Sequence, residues 1–369
     1  MNYYDLLSET MRATLRNIGY TTPTPIQEKT LELILGKSDI MGIAQTGTGK
    51  TAAFAVPIIE KIFRDNTKTQ ALVLCPTREL ALQTTEVFRK LSGSSKLRTV
   101  SVYGGQAASV QIRALRAGAQ IVVGTPGRIK DLVSRNILKL QNVRTVVLDE
   151  ADEMLDFGFL PDIKNILTAV TGVHQTLLFS ATMNKDIINI ARQFQHDPVR
   201  VEFGSRNEPT QTVRQSYLSA GEQQKPNAVQ SLIKQEEPRL ALVFCNTRRR
   251  VKNLQKQLFE QGFPVSCLHG DLSQSQRDAI MNTFRRGETT ILVATDVAAR
   301  GIDVNNIDLV INYDIPDKLE YYIHRIGRTG RAGHIGRACT LVSPKDSGRI
   351  TDIEKLFRIK LTKEQLLSC

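Results

Sequence analysis

No C-x-x-C pair occurs in this chain, and its five cysteines form an odd count, so neither a zinc site nor a disulfide framework is expected. Four of them, Cys75, Cys245, Cys267 and Cys339, lie in or beside apolar runs of strand length, which suits a reducing cytoplasm. Apolar runs long enough to span a bilayer as a helix are missing as well. The amino terminus, Met1-Asn2-Tyr3-Tyr4-Asp5, has neither the basic start nor the apolar stretch of a signal peptide. There is no basic tail either. The net charge of +12 is spread over both halves, which favours a polyanionic partner but also suits an ordinary basic enzyme. What remains is a chain of 369 residues, 41% hydrophobic and 23% charged, the profile of a soluble globular protein with two or three domains.

The most informative stretch is Asp149-Glu150-Ala151-Asp152, directly after the apolar run Val146-Val147-Leu148. A buried strand ending in two acids places carboxylates at the carboxyl edge of a sheet, where open α/β sheets bind ligands. Asp149 can hold Mg2+, directly or through water, and Glu150 can orient and deprotonate a water that attacks a phosphoryl group. The bland alternative is a helix start that collects acids to suit its dipole. Upstream, Ala44-Gln45-Thr46-Gly47-Thr48-Gly49-Lys50-Thr51 follows the run Asp39-Ile40-Met41-Gly42-Ile43. It matches the phosphate-binding pattern G-x-x-x-x-G-K-[ST], except that Ala44 stands where the first Gly is usual. Gly47 and Gly49 let backbone N–H groups turn inward around phosphate oxygens, and the following helix adds its positive end. Lys50 reaches the β- and γ-phosphates and the Thr51 hydroxyl coordinates Mg2+. An adenine or guanine triphosphate is the expected ligand.

Short apolar runs alternate with helical segments throughout. In the first half they include Ala71–Leu74, Thr99–Val102, Ile121–Val123, Val146–Leu148 and Thr176–Phe179. In the second they are Leu240–Phe244, Val265–Leu268, Ile291–Ala294, Leu309–Ile311 and Cys339–Val342. This alternation predicts βαβ units and parallel sheets covered on both faces, an α/β fold. Gly204 to Thr212 lacks periodicity and reads as a linker. The expected organisation is therefore a first domain over 1–204, a linker over 205–212 and a second domain over 213–369. Only the first carries a phosphate loop. In the second, His324-Arg325-Ile326-Gly327-Arg328-Thr329-Gly330-Arg331 spaces Arg328 and Arg331 three apart, one turn if that stretch is helical. They could reach a γ-phosphate as arginine fingers do, or form a solvated basic turn. Arg248-Arg249-Arg250 opens an expected helix through Val251, Leu254 and Leu258. It is read as a solvated run, or as Arg248 or Arg249 contacting a nucleic-acid phosphate or closing onto the first domain.

With those motifs in order, the chain resembles the DEAD-box ATP-dependent RNA helicases of superfamily 2 over essentially its whole length. The resemblance implies two tandem RecA-like P-loop domains, each a mostly parallel sheet flanked by helices. By position, Gly19-Tyr20-Thr21-Thr22-Pro23-Thr24-Pro25-Ile26-Gln27 is similar to the Q motif. Gln27 would then pair with the adenine edge and Tyr20 stack on the base, selecting ATP. Tyr3 or Tyr4 stands near the place of an upstream aromatic residue, usually Phe in the family. The resemblance places RNA contacts at Pro76, Thr77, Arg78, Gly104, Gly105, Thr125, Gly127 and Arg128. In the second domain they fall at Asn246, Thr247, Arg277 and Thr295, with Gln274 supporting Arg277. Such groups grip phosphates without reading sequence. Asp303 would bond the ATP ribose. Ser180-Ala181-Thr182 matches the segment linking ATP state to RNA state, its hydroxyls bonding Asp152 or His324.

The implied function is an ATP-dependent RNA helicase that binds single-stranded RNA and locally unwinds short duplexes as its domains close, using ATP and Mg2+. The alternatives are an ATP-gated RNA clamp with little unwinding and a DNA translocase of the same superfamily, against which the Q motif and Asp152 argue. A monomer in the cytoplasm is expected, with RNA-processing or ribosome-assembly proteins as partners. The ending at Leu366-Leu367-Ser368-Cys369 suits either a minimal helicase or the core of something longer.

Overall fold

Two sheets of seven strands each are built in the same way. The computed structural model describes residues 3–44, 48–93, 95, 97–203, 212–299, 304, 307–330 and 335–365. The chain divides into two units, Met1–Arg206 and Asn207–Cys369. In the first unit the strands are β1 (Ile40–Ile43), β2 (Ala71–Leu74), β3 (Thr99–Val102), β4 (Ile121–Gly124), β5 (Thr145–Leu148), β6 (Gln175–Ser180) and β7 (Val199–Glu202). In the second they are β8 (Val213–Ser219), β9 (Ala241–Phe244), β10 (Val265–Leu268), β11 (Ile291–Ala294), β12 (Leu309–Asn312), β13 (Gly336–Val342) and β14 (Thr362–Glu364). Every described pairing is parallel. The orders are β3-β4-β2-β5-β6-β1-β7 and β10-β11-β9-β12-β13-β8-β14, one arrangement used twice. The expected α/β architecture is what the structure has.

The apolar runs are continuous because both faces of each sheet are covered by helices. Along β2, Ala71 and Val73 join a core with Ile26, Phe54, Phe88 and Phe179, while Leu72 and Leu74 join the opposite core with Val146, Ile163 and Ile187. The same alternation divides β9: Leu242 and Phe244 face Tyr322 and Phe284, whereas Ala241 and Val243 face Leu254 and Leu258. In β1 the ring of Phe179 crosses directly over Gly42, where an added Cβ would lie 2.5 Å from it. Only glycine fits that strand position.

Three strands carry no apolar run, and the sequence reading did not see them. β7 and β14 are edge strands whose residues are largely exposed, so nothing selects a hydrophobic pattern. β8 alternates buried and exposed positions, a half-covered pattern that the search for continuous runs passes over. Of the expected linker, only Thr212 lies within the described residues. Among the described residues, no helix is long and apolar enough to cross a membrane.

Candidate active site and RNA-binding edge

All strands of a parallel sheet end at the same edge, so the loops that follow them are neighbours. In the first unit, the loops after the adjacent strands β5, β6 and β1 carry Asp149 and Glu150, Ser180 to Thr182, and the segment leading to Lys50. The loops after the adjacent strands β2, β4 and β3 carry Pro76 to Arg78, Thr125 to Arg128, and Gly104 with Gly105. One edge is thereby divided into a half with acids and a phosphate loop and a half with hydroxyls, glycines and arginines.

Gly49 has a φ of +89° and directly precedes the helix Lys50–Lys61; a Cβ there would meet Gln27 Nε2 at 2.7 Å. A left-handed turn here needs glycine, and the first N–H groups of the helix it opens are the kind of donors that bind an anion. Lys50 is buried, and its ammonium donates to the Ala44 carbonyl at 3.0 Å. Thr48 and Thr51 flank it, whereas Gln45, Thr46 and Gly47 lie outside the described residues. Gln27 is the third residue of the helix Pro25–Leu35. Its Oε1 accepts from the Thr24 backbone at 2.9 Å, and its Nε2 donates to the Gly49 carbonyl at 3.2 Å. The amide that the resemblance assigns to adenine thus caps a helix and touches the phosphate loop. Tyr20 is exposed, and its carbonyl accepts a hydrogen bond from the Tyr4 hydroxyl at 3.0 Å.

Asp149 sits at the end of β5 with 2% exposure, and among the described residues its Oδ1 has no hydrogen-bond partner. Burial pushes its pKa up from 3.8 to about 7; the Lys50 charge opposes this and the Glu150 carboxylate adds to it. A buried carboxylate oxygen with no donor among the described residues, close enough to Lys50 to feel its charge, suits a hard cation such as Mg2+. Among the described residues, no group of three or more His, Cys, Asp or Glu is placed to hold a metal ion. Glu150 has φ 52° and ψ 54°, left-handed backbone that costs a non-glycine residue on the order of 1 kcal/mol. That turn ends the strand and starts the helix Ala151–Asp156. Asp152 is buried, and its Oδ2 accepts from both the Thr182 N–H (3.0 Å) and the Thr182 hydroxyl (3.1 Å). The Ser180 hydroxyl instead donates to the Thr182 carbonyl at 2.6 Å. Of the two hydroxyls expected to bond Asp152 or His324, that of Thr182 bonds Asp152.

On the other half of the edge, Thr77 caps the helix Arg78–Ser92 by accepting from Leu80 N at 3.2 Å. The Arg78 guanidinium lies 4.7 Å from the centre of the Tyr103 ring. Arg128 donates to Gln111 Oε1 at 3.2 Å and to the Gln106 carbonyl at 3.3 Å, which ties the loop after β4 to the loop after β3. Thr125 precedes the helix Pro126–Ser134, which holds Gly127 and Arg128 in its first turn.

The second unit repeats the plan after β9, β10 and β11. Thr247 caps the helix Arg248–Glu260, as expected through Val251, Leu254 and Leu258. Gln274 and Arg277 lie in the first turn of the helix Gln274–Arg285; Gln274 donates to Asp278 at 3.0 Å and Arg277 to the Ala298 carbonyl at 3.2 Å. Thr295 is nearly buried at the end of β11. Asn246 offers less to a ligand than the sequence reading asks of it. Its amide nitrogen donates to the Ile315 carbonyl (2.9 Å) and Asp317 (2.8 Å), and its oxygen accepts from Arg325 (2.9 Å). Arg248 is ion-paired with Asp271, and Arg250 pairs with Glu222 at 2.6 Å and Asp314 at 2.7 Å. Arg249 is exposed.

The helical presentation considered for the arginine pair does not hold at Arg328, which lies beyond the helix end. The helix is Tyr321–Ile326; Gly327 ends it, and Thr329 bridges to Ile307. Arg328 is buried beyond the helix end, its Nε donating to the His324 carbonyl at 3.2 Å. Arg331 and Asp303 lie outside the described residues.

Sequence reasoning missed Arg325. This side chain is 1% exposed and grips both oxygens of Asp296 at 2.6 Å. It also donates to the Asp314 carbonyl (2.6 Å) and lies 5.1 Å from the Phe244 ring centre. It joins the loops after β9, β11 and β12. Its position inside an arginine-rich motif was visible, but one-dimensional spacing does not separate a buried arginine from exposed ones.

Comparisons with known proteins give the family. A family model for DEAD/DEAH box helicases matches residues 24–190, and one for the helicase conserved C-terminal domain matches 224–333. The chain is 46% identical to the ATP-dependent RNA helicase CshA of Limosilactobacillus reuteri, over 96% of its own length and 71% of the relative's. It is 45% identical to the DEAD-box ATP-dependent RNA helicase CshA of Geobacillus kaustophilus, over 97% and 76%. Among solved structures, S. cerevisiae Dbp5 bound to RNA and ADP BeF3 matches with a TM-score of 0.88 at 31% identity, covering 99% of this chain and 96% of that one. On its motifs, its repeated sheet and these relatives, the chain belongs to the DEAD-box ATP-dependent RNA helicases.

Proposed function

We propose that the chain hydrolyses ATP at the β1/β5/β6 half of the first sheet edge while single-stranded RNA lies along the β2/β3/β4 half, and that this coupling locally separates short RNA duplexes. The observation that carries the reading is the division of one edge between two ligand chemistries. The Asp152–Thr182 bonds join the acid loop to the loop after β6 at the heart of the nucleotide half. Lys50 leaves the Ala44 carbonyl for the β- and γ-phosphates, and Gln27 exchanges its bonds to Thr24 and Gly49 for the adenine edge. Asp149 and Thr51 are the residues that would hold Mg2+, which neutralises phosphate charge when bound. Glu150 accepts the proton of the attacking water, its carboxylate aimed by the left-handed turn. Arg328 and Arg331 of the second unit stabilise the charge on the transferred γ-phosphoryl group.

RNA phosphates are gripped by Thr77, Arg78, Thr125 and Arg128 in the first unit and by Thr247, Arg277 and Thr295 in the second. Asn246 acts as a positioning residue held by Arg325. Because ATP and RNA each engage both units in this cycle, each strengthens binding of the other, and hydrolysis releases both. The strand is held in a path a duplex cannot follow, so its complement leaves. The test is strand displacement of a short RNA duplex with ATP, alongside a DNA duplex of the same sequence. ATP-dependent release of the RNA strand is expected. Tight ATP-dependent binding without release would replace the helicase reading with that of a clamp, and equal release from DNA would overturn the RNA preference.

A further inference from the structure

At the opposite edge of the first sheet, where β2, β5 and β6 begin, the surface dips into a groove of about 430 Å³. Strands of four to six residues separate it from the catalytic edge, roughly 13–20 Å by the rise of a β-strand. Its apolar lining includes Leu35, Ile58, Ile62, Phe63 and Val173; Phe63 is 56% exposed and Val173 fully exposed, unusual for large apolar side chains. Its charged lining is of one sign. Lys37, Lys61 and Arg144 face it together with His174, and among the described residues no carboxylate lines it.

Lys61 is the sharpest sign of an absent counter-charge. Among the described residues its half-buried ammonium donates to neutral acceptors, the Ile34 carbonyl at 2.9 Å and Gln175 Oε1 at 3.1 Å. Burial, with the Lys37 charge beside it, lowers its pKa to about 8. The Arg144 guanidinium lies 4.8 Å from the centre of the Phe63 ring, so apolar and cationic elements share one rim.

We propose that this groove is a docking site for an acidic peptide segment of a partner protein, with an aliphatic or aromatic side chain seated between Phe63 and Val173 and carboxylates paired to Lys37, Lys61 and Arg144. Charge complementarity selects an anion, and the apolar surface selects a peptide over a nucleic-acid backbone, which presents phosphate and sugar rather than aliphatic groups. Docking here leaves the opposite edge accessible, so the enzyme can be recruited to a complex without losing its turnover.

The test is selection of a display library of short random peptides on the immobilised full chain, with the winning peptides synthesised and their affinities measured. Peptides combining acids with large apolar residues are expected. They should bind Lys37→Glu/Arg144→Glu at least about tenfold more weakly, and Phe63→Ser likewise, while RNA-stimulated ATPase activity stays unchanged in both. Lys37→Gln/Arg144→Gln provides the same reading should the reversed charges prevent folding. Absence of such peptides, or equal affinity for all variants, overturns the proposal. If the charge variants instead lose affinity for a single-stranded oligoribonucleotide, the groove belongs to RNA and the peptide assignment is wrong.

Discussion

Asp149→Asn is the substitution whose effect the structure sizes most directly. Asp149 is almost fully buried with one oxygen unpartnered, and burial raises its pKa from 3.8 to about 7. A carboxyl group whose pKa is higher in the folded state holds its proton more tightly there. Its favourable contribution is complete below about pH 4 and is lost as the pH rises through 7. Relative to a permanently neutral side chain, ionisation then costs the fold about 2 kcal/mol at pH 5 and about 4 kcal/mol at pH 8. The Asn variant escapes that cost. For a unit of about 200 residues each kcal/mol moves the thermal midpoint by about 2–4 °C. The stability advantage of the variant should therefore widen by roughly 5–10 °C between pH 5 and pH 8. The assay is thermal unfolding of the full chain without nucleotide, followed by circular dichroism at both pH values, together with ATPase activity, which the variant should lose. A midpoint difference that does not change with pH, or a variant less stable than the parent at pH 8, would refute the reasoning.

Glu150→Gln should leave ATP and RNA affinity intact while lowering kcat by about two orders of magnitude or more; steady-state turnover near the parent's would remove Glu150 as the base. Thr182→Val deletes one of two hydrogen bonds to buried Asp152 and should destabilise the first unit by about 1–3 kcal/mol. The same variant should reduce duplex separation more than ATP hydrolysis, measured side by side. Arg325→Met strands the Asp296 carboxylate and unties Asn246, at a cost of about 3–5 kcal/mol in chemical denaturation. The conservative Arg325→Lys should recover only part of that, because an ammonium cannot bond both oxygens of Asp296 in one plane.

Much of the fold was legible because a parallel sheet buried on both faces must be apolar along its strands, and eleven such runs are plain to see. The strands at Val199–Glu202, Val213–Ser219 and Thr362–Glu364 were not, since their positions are exposed or half-covered. The phosphate loop and acid pair were legible from chemistry alone: Gly49, Lys50, Asp149 and Glu150 are residue types that a triphosphate and an attacking water require. Capping and committed hydrogen bonds were not. Gln27 reads as a base-binding amide in one dimension, yet in space its two ends hold Thr24 and Gly49. Asn246 reads as a phosphate contact, yet it is spent on Asp317, Ile315 and Arg325. Arg325 stayed hidden because burial depends on what folds over a side chain. The turn at Gly327, which ends the helix before Arg328, was a glycine the spacing argument ignored.

The central claim is that a triphosphate and a single RNA strand strengthen each other's binding. Its most direct measurement is the affinity of the full chain for a fluorescent oligoribonucleotide with and without a non-hydrolysable ATP analogue, paired with the reverse titration. RNA binding should tighten at least about tenfold, and nucleotide binding should tighten by the same factor when RNA is present. An RNA affinity indifferent to the nucleotide would contradict the account.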